Sequence, residues 1–99
     1  MTSHAPVRTS EFCMAIRQIL DADAVPAGVV DVRLRRRNGE DWHGRVHIFE
    51  ISGHPRARRC YAWPEPLDAS SVVIRVVPQA GRIAAPEQAV RSILNRRAR

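Results

Sequence analysis

Two histidines and a cysteine are the residues of this sequence with the most obvious capacity for chemistry. His43 and His47 are four residues apart, a spacing at which two imidazoles bind one metal ion if the segment is a helix. Apolar and polar residues alternate here as in a strand, and four strand residues span about 13 Å, so the two rings cannot share an ion. The sequence therefore predicts no metal site and no cofactor.

Cys60 offers a different chemistry, that of a thiol nucleophile activated by an imidazole. In one of two possible registers of the third strand it lies across from His47, which would give a thiol–imidazole pair in a small pocket. No Asn, Asp or oxyanion loop at a recognisable spacing supports catalysis. We therefore predict no catalytic residue, and a small enzyme or ligand-binding protein with a Cys60/His47 pocket stays as an alternative.

Arginine is the most prominent chemical feature of the chain. All sixteen basic residues are Arg, and the formal net charge is +6. A GC-rich genome produces the same bias without selection for function, so the charge alone does not indicate a nucleic-acid partner. Arg nevertheless suits forked contacts with carboxylate or phosphate groups. We therefore expect an acidic or anionic partner.

Two helices and four strands must position these side chains. Residues 9–23 place apolar side chains at helical spacing, and Pro86 fits the first position of a final helix. Four strand-like segments lie between them, of which residues 71–78 are apolar on nearly both faces and suggest an inner strand. The order α-β-β-β-β-α predicts an α+β sandwich of two layers, with both helices on one face of a mainly antiparallel four-stranded sheet.

The register of the first two strands follows from side-chain pairing across a turn at Asn38-Gly39. A two-residue loop would mix apolar and basic side chains on the core face. A three-residue loop, 37–39 with Gly39 left-handed, instead sets Leu34 opposite Trp42. The same register pairs unlike charges, namely Asp31 with Arg45, Arg35 with Asp41, and Arg36 with Glu40.

The third strand, residues 58–63, has two possible registers. In one, Tyr61 and Trp63 point outward beside Arg59, and an Arg/His surface with two aromatic rings is typical of single-strand nucleic-acid binding. In the other, both rings enter the core. The surface predicted to meet an acidic protein, with nucleic acid as the alternative partner, comprises Arg33, Arg35, His43, Arg45, His47, Arg59, Tyr61, Trp63 and Arg75.

Regular alternation along the second and fourth strands also predicts an apolar patch on the outer face of the sheet. Soluble monomers usually cover such a patch, and a second copy of the chain is the simplest cover. A bulge near Glu50 would instead bury these side chains. We predict a homodimer whose interface contains Phe49, Ile51, Val73 and Val77.

Length and composition limit the organisation to one domain. Ninety-nine residues with 44% hydrophobic content predict a single domain over residues 9–97 behind a flexible tail at 1–8. No apolar run reaches the roughly 18 residues of a membrane span, and the first residues lack the pattern of a signal peptide. We therefore expect a cytoplasmic protein that does not bind membranes, with Cys13 and Cys60 as free thiols.

Residues 53–63 read Gly-His-Pro-Arg-Ala-Arg-Arg-Cys-Tyr-Ala-Trp. They follow a strand ending in Phe49-Glu50 and precede a final helix that begins Pro-Glu-Gln-Ala-Val-Arg. This pattern resembles small uncharacterised bacterial proteins, some of which are carried as integron gene cassettes. The resemblance implies a short stand-alone bacterial domain, and it implies no activity and no functional residues.

Overall fold

The computed structural model describes residues 7–36 and 39–97, and its elements follow the predicted order. The helices are α1 (Thr9–Leu20) and α2 (Pro86–Arg97). The strands are β1 (Asp23–Arg35), β2 (Asp41–Ser52), β3 (Arg59–Pro66) and β4 (Val72–Pro78). They form one antiparallel sheet in the order β1-β2-β3-β4. The predicted α+β class is therefore confirmed.

Helix α1 ends three residues earlier than its apolar periodicity predicts. Its first turn is capped by Glu11, whose Oε1 accepts the Arg8 N–H at 3.1 Å. Asp21 adopts a left-handed conformation with φ of 53°, and its N–H donates to the Arg17 carbonyl at 3.0 Å. This is a common way to end a helix, and it lets β1 begin at Asp23.

The β1–β2 hairpin has the predicted register. Leu34 lies opposite Trp42, and the predicted unlike charges face each other. Gly39 has φ of +87°, a left-handed value that favours glycine, and the Arg36 N–H donates to the Glu40 carbonyl at 2.8 Å. The other two residues of the predicted loop, 37 and 38, lie outside the described residues.

The two helices lie on opposite faces of the sheet, which corrects the prediction that they share one. Adjacent strand residues point to opposite faces, so Ile48 and Phe49 separate the two sides. Phe49 packs on Phe12 of α1, with ring centroids 5.8 Å apart, whereas Ile48 packs against the cluster that contains Val90 of α2. The physical reason is that β3 and β4 are apolar on both faces, and each face needs a cover.

Each helix closes its own hydrophobic core, and the sheet separates the two. The α1 core consists of Phe12, Ile16, Ala22, Phe49, Ile51, Ala57, Cys60 and Ala62. The α2 core consists of Val32, Leu34, Val46, Tyr61, Trp63, Val77, Ala89, Val90 and Leu94. β4 was predicted to be an inner strand, but it is an edge strand. Its side chains are apolar on both faces because a helix covers each face of the sheet.

The predicted dimer patch does not exist as a surface. Phe49 and Ile51 are 1% and 7% exposed beneath α1. Val77 is buried in the α2 core, and Val73 is half-buried on that same side of the sheet. The prediction was wrong for two reasons: α1 covers the face that was expected to be open, and the register of β3 and β4 turns Val73 and Val77 to the α2 side. A homodimer would therefore need a different surface.

Candidate functional site

Five of the nine residues predicted to form a binding surface lie on one face of the β1–β2 hairpin. Alternation along the paired strands directs them to the side of the sheet that carries α1. The Arg35 and Arg45 side chains are 84% and 77% exposed, so α1 leaves this part of the face open. We call it the hairpin face, and its members are Arg33, Arg35, His43, Arg45 and His47.

Two aspartates lie among the arginines of the hairpin face. The Arg45 Nε is 3.7 Å from the Asp31 Oδ1, and the Arg35 Nε is 3.7 Å from the Asp41 Oδ1. Exposed pairs of this kind contribute only about 0 to 1 kcal/mol, so they hold the guanidinium groups weakly. Arg33 lies across from His43 and forms no ion pair with any described residue. The hairpin face is therefore mildly basic and open to a partner.

The sheet splits beside this face, where β2 and β3 separate. Their pairing stops at His47 and Ala62, although both strands continue. Continued pairing would set Arg45 opposite Pro64 and His43 opposite Pro66, and proline has no N–H to donate. The strands therefore part and leave a cleft of about 370 Å³. We call it the proline cleft.

The backbone of β2 points hydrogen-bonding groups into the proline cleft. The Arg36–Glu40 hydrogen bond shows that even-numbered residues of β2 bond to β1. Alternate residues of an antiparallel strand bond to opposite neighbours, so the N–H and C=O groups of His43 and Arg45 face the cleft. These groups add neutral donors and acceptors beside the cationic side chains.

Aromatic and proline side chains supply the apolar walls of the cleft. The Trp42 ring lies across Gly44, where an added Cβ would be 2.9 Å from the Trp42 Cη2, so only glycine lets the ring lie against the strand. Trp42 also meets Trp63 edge to face, with centroids 6.2 Å apart. The cleft is lined by Val7, Phe12, Trp42, His43, Gly44, Arg45, His47, Pro64, Glu65 and Pro66.

His47 is the most enclosed polar group of the hairpin face. Its ring centroid is 4.4 Å from that of Phe12. Burial, with a further effect of the nearby Arg45 charge, lowers the pKa of His47 below its ordinary value of 6.5. The imidazole is therefore neutral at pH 7, and one ring nitrogen can donate a hydrogen bond while the other accepts one.

Arg59 and Arg75 lie on the other face of the sheet, which corrects their predicted place on the binding surface. Arg75 uses its Nε to donate to the buried Glu65 Oε2 at 3.0 Å. Arg59 lies opposite Glu50, with 3.8 Å between its Nη2 and the Glu50 Oε1. The reason is the register of β3, which directs its odd-numbered residues, including Arg59, to the α2 side. Arg75 of β4 lies opposite Trp63 and therefore points to the same side.

The same register buries the two aromatic residues that were predicted to form part of the surface. Tyr61 lies opposite Ile48, and Tyr61 and Trp63 are 2% and 1% exposed. The Tyr61 hydroxyl donates to the Ala84 carbonyl at 3.4 Å, just before α2. The outward register was therefore wrong, because α2 offers these rings a core.

Cys60 does not form a pocket with His47. It lies opposite Phe49, is fully buried in the α1 core, and is absent from the lining of the proline cleft. Burial, with a smaller effect from Cys13, raises the pKa of the Cys60 thiol to about 12. A thiol in this environment is a poor nucleophile. Both cysteines are free, as predicted.

Sequence reasoning missed the residues that shape the cleft. Phe12 comes from α1, which was assigned to the other face, and Trp42 was expected only as a core residue. Pro64 and Pro66 carried a usable signal, because two alternate prolines remove two successive N–H groups from the same edge of a strand. That signal needed the register of β3 to become informative.

Comparison with known protein families, curated proteins and solved structures gives no match for this chain. The resemblance to integron cassette proteins therefore stays a prediction. Within the described ranges, neither helix has the length and apolar character needed to cross a membrane. The same ranges bring together no group of three or more His, Cys, Asp or Glu side chains suited to a metal ion.

Proposed function

We propose that this chain is a small non-catalytic binding domain that recognises an acidic protein segment through the hairpin face and the proline cleft. One observation carries the proposal: the cleft brings His43, Arg45 and His47 together beside backbone donors. Burial of the Cys60 thiol favours binding over nucleophilic catalysis. The free thiols support a reducing, cytoplasmic setting.

A carboxylate side chain fits the chemistry of this site better than a neutral ligand. The Arg45 guanidinium offers forked donors to a carboxylate, and the aromatic walls can pack on the methylene groups of a Glu or Asp side chain. Outside the cleft, Arg33 and Arg35 are two residues apart on β1, or about 7 Å. Alternate side chains of an extended peptide have the same spacing, so a segment with acidic residues at alternate positions matches the hairpin face.

Nucleic acid is the weaker alternative. Base stacking needs exposed aromatic rings, and Tyr61 and Trp63 are buried on the other face. Asp31 and Asp41 would also repel a phosphate backbone laid across the hairpin face.

An octaglutamate peptide is a suitable probe, and isothermal titration calorimetry can measure its affinity. Arg45→Gln removes a charged donor, which contributes about 1.5 to 3 kcal/mol to a hydrogen bond. We therefore expect binding to weaken by about tenfold or more. Arg91→Gln is the matched control, since it removes the same charge from an exposed position on α2 and should leave the affinity unchanged.

The proposal is wrong if octaglutamate does not bind, or if both variants weaken it equally. Tighter binding of a single-stranded oligonucleotide of eight nucleotides would favour the nucleic-acid alternative. Octaglutamate affinity should also fall as salt rises from about 0.05 to 0.5 M, because the contacts are between exposed charges.

A further inference from the structure

The outer edge of β4 pairs with no other strand of the described residues. On its inner side, the Gln79 N–H donates to the Arg59 carbonyl at 2.8 Å. Odd-numbered residues of β4 therefore bond to β3, and even-numbered residues point their backbone groups outward. Three N–H groups face outward, those of Val72, Ile74 and Val76.

The opposite edge of the sheet is protected against pairing, and the edge at β4 is not. β1 contains Pro26, shifts register between Pro26 and Gly28, and carries charged side chains along its second half. Proteins use these features to prevent edge-to-edge association. β4 has neither a bulge nor an internal proline, and its one charged residue, Arg75, is engaged by Glu65.

An apolar groove follows this unprotected edge. Met14 and Ile19 of α1 are 62% and 55% exposed, and they face a groove of about 430 Å³ shared with the start of β4. Glu11 is the only charged residue of its lining, in a chain whose formal net charge is +6. The groove lining contains no basic side chain, so two copies that meet here do not bring positive charges of the lining together.

We propose that two copies of this chain associate through β4, so that their sheets join across a two-fold axis and their α1 helices lie side by side. The backbone groups on the β4 edge complement their own copies in antiparallel pairing. With Ile74 opposite Ile74 of the second copy, all three outward residues pair. The next register would set Arg75 opposite Arg75, and like charges directly opposite each other are destabilising.

The area available is enough for a modest dimer. A seven-residue edge is about 23 Å long, and a layer of helix on a layer of sheet is about 20 Å deep. The patch on each copy is then on the order of 500 Å², which buries about 1,000 Å² in total, the lower limit for a specific interface. We therefore expect association in the micromolar range.

Sedimentation equilibrium over protein concentrations up to about 500 µM tests the dimer. The wild-type chain should reach twice its mass of 11.1 kDa. The double variant Met14→Lys, Ile19→Lys should stay monomeric, because it places four like charges in the interface of the two copies. Both side chains are exposed, so the fold should be retained, which circular dichroism can check.

Val25→Lys with Val29→Lys is the matched control. These aliphatic side chains are 63% and 51% exposed on β1, at the other edge of the sheet, and the control should remain dimeric. Val72→Pro adds a backbone test, since it removes an outward N–H that donates to no described residue, and it should weaken association at least tenfold. A monomeric wild type, equal effects of both Lys pairs, or masses beyond two copies would overturn the proposal.

Discussion

The two hairpins of this sheet differ in how they treat their two faces. β1–β2 buries one face under α2; on its other face α1 covers Phe49 and Ile51, and the remainder exposes a mixed Arg, His and Asp surface. β3–β4 is covered on both faces, by α2 on one side and α1 on the other. The proposed recognition of an acidic segment uses the first hairpin, and the proposed self-association uses the edge of the second. The proline cleft lies where the two hairpins separate.

The largest loss of stability should come from removing a buried aromatic side chain of β3. Trp63→Ala empties the centre of the α2 core, and truncating a buried aromatic residue costs about 3 to 5 kcal/mol of unfolding free energy. Arg33→Ala on the exposed hairpin face should change it by less than about 0.5 kcal/mol. Urea unfolding followed by circular dichroism measures both. Similar values for the two variants would contradict the assignment of faces.

A smaller effect is expected at the boundary between the hairpins. Gly44→Ala places a Cβ 2.9 Å from the Trp42 ring, which must move off the strand. Overpacking of this kind costs about 1 to 3 kcal/mol, measured by urea unfolding. Because Trp42 lines the cleft, octaglutamate binding should weaken as well. Unchanged stability together with unchanged binding would show that the ring does not shape the site.

The smallest effect should be a pH dependence due to His47. Its pKa is lowered from 6.5 in the folded chain, so below pH 6.5 the unfolded chain binds more protons than the folded one. The contribution of neutral His47 to stability is complete above pH 6.5 and is lost as the pH falls through 6.5 towards the folded pKa. Urea midpoints at pH 7.5 and 5 should differ more for wild type than for His47→Gln. If the midpoint changes equally with pH in wild type and in His47→Gln, the pH dependence of stability comes from groups other than His47.

Five of the nine residues predicted to share one surface lie on the same face of the sheet, and the register of β3 explains why the other four do not. The five members on β1 and β2 share a face because the hairpin register followed from local pairing. The members on β3 and β4 lie on the other side, because Glu50 pairs with Arg59 and this register turns Tyr61 and Trp63 into the core. A shift by an odd number of residues turns every side chain of a strand to the opposite face.

Local patterns in the sequence were enough to predict the order of the elements along the chain and the register of the β1–β2 hairpin, but not the edge position of β4. Apolar residues alternate with charged ones in this hairpin, unlike charges match across the strands, and Gly39 suits the left-handed turn, so only one register satisfies all three. The direction of the β3 side chains, the faces that the helices cover and the position of the proline cleft depend instead on long-range packing. β3 and β4 are apolar on both sides, so either register buries comparable side chains locally. The choice between them comes from packing α1 and α2 on opposite faces, a long-range contact that no local pattern encodes.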